Sequence, residues 1–91
     1  MNSLFFLMAQ YNSLVVIPLD RVCQDYFRHL TPNQFQRKVN TGIIQIPITR
    51  MEPGTQKTAK GVFLTDLASY LDKRHEAALR EEAQLNGRRS V

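Results

Sequence analysis

Cysteine, clustered glycine, long apolar runs and mid-chain acids are all scarce in this sequence of 91 residues. The single cysteine, Cys23, rules out an internal disulfide, and zinc sites ordinarily need several Cys or His at set spacing. The two histidines, His29 and His75, stand far apart, and neither is followed by a metal-ligand spacing, so no metal site is expected. The four glycines are isolated at positions 42, 54, 61 and 87, which excludes a Gly-rich phosphate-binding loop. Cys23 falls among apolar residues at helical spacing, where a buried inert thiol is the default. No catalytic residue, cofactor or small-molecule ligand is therefore expected, and the chain does not read as an enzyme.

No stretch approaches the roughly 20 apolar residues of a membrane span. The run Leu4-Phe5-Phe6-Leu7-Met8-Ala9 is apolar, but no basic region precedes it and it is short for a secretory core. It reads as structure, and the expected setting is the cytoplasm. Hydrophobic residues make up 43% of the chain, enough for one packed domain over residues 1–87, with 88–91 as a tail.

The shortage of acids is local. Residues 31–62 hold Arg37, Lys38, Arg50, Lys57 and Lys60 against Glu52 alone, whereas residues 1–30 and 63–91 each balance to zero. The whole formal excess of +4 thus lies in the middle third. Concentrated positive charge is the electrostatic footprint of a polyanion partner. Toward the C-terminus, Asp72, Glu76, Glu81 and Glu82 alternate with bases and read as a solvated, ion-paired helix face.

Within the basic third, Thr31 to Gly42 carries signals for both ends of a helix. Thr31 is an N-cap whose partner Gln34 completes a capping box, Pro32 suits the first helical position, and Gly42 suits the left-handed closure. Phe35 and Val39, four apart, make the inner face. Asn33, Gln36, Arg37 and Asn40 make the outer stripe, and these types pair bidentately with adenine (Asn, Gln) or guanine (Arg) in a major groove. Taken alone, such a stripe fits an ordinary solvated face better than a recognition face.

Its neighbours favour recognition. Asp20 to Phe27 reads as a preceding helix with Val22, Cys23, Tyr26 and Phe27 inward. The turn Arg28-His29-Leu30 then makes a helix-turn-helix over about 19–42. Leu14 to Ile17 reads as a brief strand or extended lead-in ending at Pro18. After Gly42 the period changes to two. Ile44, Ile46 and Ile48 form one strand, Pro53-Gly54 a type II turn, and Gly61 to Leu64 the returning strand. This is a hairpin wing over about 43–64 with a basic tip. Thr65 is expected to cap a closing helix over about 65–86. The expected class is α+β, a small winged helix-turn-helix, mostly helical with a two-stranded wing. Thr31, Lys38, Arg50, Gln56, Lys57, Thr58 and Lys60 are the expected phosphate or wing contacts on double-stranded DNA. Leu4 to Tyr11 reads as a helix apolar nearly all round, which needs cover on more than one side. A second copy is one source of that cover.

The pieces Phe6-Leu7-Met8-Ala9-Gln10-Tyr11, Ile17-Pro18-Leu19-Asp20 with Cys23 and Asp25-Tyr26-Phe27, and His29-Leu30-Thr31-Pro32 also occur in a known order. So do Arg37-Lys38-Val39, Pro47-Ile48 with Arg50, Gln56 to Val62, and Asp66-Leu67-Ala68. In this ordered set, from about Phe6 to Ala68, the chain resembles the pyocin activator protein family of small bacterial and phage-borne transcription activators. The layout is also similar to the excisionase-type (MerR/excisionase-like) winged helix. The resemblance implies sequence-specific binding to promoter DNA upstream of bacteriocin or prophage genes, switching them on, with RNA polymerase as a further candidate partner. Two alternatives share parts of this reading: an architectural excisionase-like DNA bender, and a phage adaptor that binds a host protein.

Overall fold

The computed structural model describes residues 3–55 and 58–89. Four helices and a three-stranded antiparallel sheet follow in the order α1 (Leu4–Gln10), β1 (Val16–Pro18), α2 (Leu19–Tyr26), α3 (Pro32–Asn40), β2 (Thr49–Arg50), β3 (Lys60–Phe63) and α4 (Leu64–Arg89). The fold is α+β, a small winged-helix-like domain.

The sheet order is β1-β3-β2. Its central strand, β3, pairs Val62 with Ile17 of β1 and Lys60 with Arg50 of β2. The expected two-stranded wing is therefore modified in two ways. A third strand joins from the 14–17 run, and the first wing arm is only Thr49–Arg50. Ile44 and Ile46 do alternate into the core, as a period of two demands, but they are not part of a strand. Pro47 has no N–H to give a ladder, and in the register of β2 it would face Phe63, the last residue of β3.

α2 follows β1 directly. Pro18, with φ −57° and ψ 146°, ends the strand and starts the helix, and Asp20 in the first turn suits the positive helix end. α3 forms as its ends dictate. The Gln34 amide donates to Thr31 Oγ1 (3.2 Å) and the Thr31 amide donates to Gln34 Oε1 (3.0 Å), a complete capping box. Gly42, at φ +80°, turns the chain out, and the Ile43 amide donates to the Lys38 carbonyl at 2.9 Å. α4 begins one residue earlier than expected, at Leu64. Thr65 thus lies inside its first turn rather than capping it, and the Leu64 amide is held by the carbonyl of Val15, the residue before β1 (2.8 Å).

Leu7, Ile17, Val22, Phe35, Val62 and Leu67 form the fully buried centre. Phe27, just after α2, ties α2 and α3 to it, its ring centroid 4.8 Å from Phe35 and 5.9 Å from Tyr70. α1 is docked by Ser3, whose amide and hydroxyl both donate to Asp72 of α4 (3.1 and 2.6 Å). Tyr11 donates to Asp25 and Tyr26 to Gln10, each at 2.5 Å, pinning the end of α1 to α2. Only Leu7 and Tyr11 of this segment are buried. Phe5 (73% exposed), Phe6 and Met8 face outward.

Candidate nucleic-acid interface

Burying Phe35 fully and Val39 partly fixes the rotation of α3, so its opposite face must point to solvent. Asn33, Arg37 and Asn40 are exposed there. Gln36 sits at the edge of this stripe, half-buried, where its side-chain oxygen accepts from Lys60 Nζ across 3.4 Å. That bond links the helix to the wing. With the oxygen engaged, Gln36 has its amide N–H groups left to donate, so it suits an acceptor better than a bidentate pairing.

The wing brings two cations together. Arg50 stands directly opposite Lys60 in the β2–β3 ladder, so both side chains leave the same face. Like charges at directly opposite positions destabilise a ladder by roughly 0.2–1 kcal/mol, a cost that a bound anion removes. Thr58 is spent inside the wing tip, where its hydroxyl accepts from the Glu52 amide (2.7 Å). Thr31 is likewise committed to its cap. Pro32 has no donor, so among the described residues the Asn33 amide is what the helix start can offer an anion. Gln56 and Lys57 lie outside the described residues.

On the flank of α3 away from the wing, Lys38 and Arg37 line a shallow groove with His29, Gln34, Thr41 and Ile43. Ile43, 68% exposed, also borders a second groove, formed with Gln45, Tyr70, Lys73, Arg74, Ala77 and Arg80. Sequence reasoning missed these three bases because the last third of the chain sums to zero. Helical spacing was the available signal. At about 100° per residue, positions 73, 74, 77 and 80 share one flank of a helix. The acids Asp72 and Glu76 instead border a groove on the side of Leu4, Thr65 and Ser69. Only Lys73 touches both grooves.

The rest of the surface offers little reactive chemistry. Burial, with a smaller push from Asp20, raises the Cys23 thiol above its ordinary 9.0, so it stays protonated near neutrality. Tyr11 is raised strongly by burial and by its bond to Asp25. Among the described residues no cluster of three His, Cys, Asp or Glu is placed to hold a metal ion, and no helix is long and apolar enough to cross a membrane.

A family model described as "Pyocin activator protein PrtN" matches residues 3–78. The chain belongs to the pyocin activator family. No curated protein and no solved structure matches it. The pyocin activator match takes in α1, the sheet, the helix-turn-helix, the wing and the first half of α4. It makes the chain one of a family of transcription activators of pyocin genes. Lys73 and Arg74 fall inside the matched span and Arg80 just beyond it.

Proposed function

We propose that this pyocin activator family member binds promoter DNA sequence-specifically and without enzymatic activity, α3 entering the major groove beside the wing. The observation that carries the reading is the exposed α3 stripe Asn33, Arg37 and Asn40, tied to the wing by the Lys60–Gln36 bond, with Arg50 opposite Lys60. Asn33, Arg37 and Asn40 read base edges, Gln36 donates beside them, and Arg50, Lys60 and Lys38 neutralise phosphates. Arg37 has no acid beside it in the groove it lines, which suits a guanidinium kept free for a guanine edge. Lys57 and Gln56 extend the wing's contact in the same reading, and Thr58 and Thr31 support it by ordering the wing tip and the helix start.

The test uses duplexes selected by the full chain from a random pool, compared with random duplex. Arg37→Ala is expected to relax discrimination at one base position, costing about 1–3 kcal/mol on the selected site. Lys60→Ala is expected to weaken every duplex alike and to lower the salt slope by about 0.9. Equal losses on selected and random duplex for Arg37→Ala would remove the base-reading role.

The same reading includes a homodimer, the second copy covering the exposed side of α1. Residues 1–19 contain no Asp, Glu, Lys or Arg. Met8 and Val15 line an apolar groove with Leu4 and Phe63. Phe5 and Phe6, edge to face at 5.7 Å, stand on the same short helix. A surface with no charge of its own fits another like it, which is the self-complementarity a twofold interface needs. Two copies place two recognition helices on half-sites about one helical turn apart. Activation follows from a polymerase contact or a DNA distortion made by the bound dimer.

A further inference from the structure

Two grooves along α4 differ in charge, with Lys73 common to both, although the sequence composition hides this. Lys73, Arg74 and Arg80 line the groove against Ile43 and Gln45, while Asp72 and Glu76 line the groove toward α1. Asp72 is occupied there, accepting two bonds from Ser3, so its charge has a structural use on that side. Among the described residues Lys73, Arg74 and Arg80 make no comparable hydrogen bond. Glu81 falls on this same flank by helical spacing, but farther along the helix than the residues that line the groove.

The basic groove is also continuous with the proposed reading face. Ile43 is shared between it and the groove that holds Arg37 and Lys38. Around α3, Gln36 marks the wing side through its bond to Lys60, and Lys38 with Thr41 marks the opposite side. A helix seated in a major groove has a phosphate strand on each side. The wing serves one strand. We infer that the other runs along the α4 groove, where Lys73, Arg74 and Arg80 bind its phosphates and widen the footprint beyond the helix and wing. Lys73 and Arg80 stand seven residues apart, about 10 Å along the helix, so they track a strand rather than meet at one point. Tyr70 and Ile43 also line the groove and offer apolar surface to the stems of these side chains.

This inference rests on the DNA-binding reading, and its test separates the two. The full chain and a variant carrying Lys73→Gln, Arg74→Gln and Arg80→Gln are titrated with the in-vitro-selected duplex across a salt series, with hydroxyl-radical footprints of each complex. Each phosphate contact contributes about 0.9 to the slope of log affinity against log salt, so the variant is expected to lose roughly 2–3 from the slope. It is also expected to lose protection along one strand at one edge of the footprint, with the wing edge and base preference retained. Thermal melts followed by circular dichroism confirm that both proteins are folded; these exposed positions leave the core intact. A single Glu76→Gln change on the acidic flank is expected to leave the footprint edges unmoved. An unchanged slope and footprint in the triple variant, with tight binding by the parent, overturns the α4 contact and leaves the DNA reading standing. Failure of the parent chain to select or bind any duplex overturns both.

Discussion

Gly61 shows what a single residue decides in this fold. A Cβ built there lies 2.6 Å from Val16 Cγ1 and 2.7 Å from the Ile17 carbonyl oxygen, the latter fixed backbone. Strands β1 and β3 can therefore approach closely only with glycine at this point. Gly61→Ala is expected to destabilise the domain by about 1–3 kcal/mol, read as a fall in denaturant midpoint with the slope unchanged. An unshifted midpoint would show that β1 can move away at no cost. The sequence showed Gly61 only as the start of an apolar run. Its partner strand lies in a distant part of the chain, and nothing local in either run encodes that pairing. Arg37 and Lys38 illustrate the opposite case. Their helical positions follow from Phe35 and Val39 alone, so sequence periodicity placed them correctly on an exposed stripe and at its flank.

At the scale of elements, what was legible is what is locally enforced. The ends of α3 are written in Thr31, Pro32, Gln34 and Gly42, and each acts within a few residues of itself. Thr31→Ala removes the acceptor for the Gln34 amide and should cost about 1 kcal/mol, visible as a lower melting temperature, with weakened DNA binding as a secondary effect. A Thr31→Ser variant should restore most of that loss, since serine caps equally well. Stability unchanged in both would mean that tertiary packing of Phe35 alone sets the helix start. What was not legible depends on tertiary partners. The 44–48 run has the alternation of a strand and buries as one, yet in the register of β2 the strand opposite it ends at Phe63, where α4 begins. Thr65 has the chemistry of a cap, but α4 begins one residue ahead of it, with the Leu64 amide held by the Val15 carbonyl. In α4, summing charges over a whole element hid a division between its two flanks.

For the molecule as a whole, the outward apolar side of α1 sets the third expectation. In solution at micromolar concentration, light scattering of the full chain should give twice the chain mass. Phe6→Lys should return it to one chain mass without lowering the melting transition, because Phe6 is 59% exposed and contributes little to the core. A parent chain that scatters as a single copy, with and without DNA, would discard the dimer. The match of one family model across residues 3–78 spans α3, the wing and this apolar side together.

The division of charge along α4 has a kinetic consequence. A body of net charge +4, with Lys73, Arg74 and Arg80 along one groove and Asp72 and Glu76 along another, carries a dipole as well as a charge. In the field of a nucleic-acid polyanion it experiences a torque before it makes any contact. Encounters at low salt should therefore begin with the α4 flank and α3 already turned toward the duplex, and a larger fraction of collisions should be productive than net charge alone allows. The acidic flank then arrives facing away, and with it the groove beside α1.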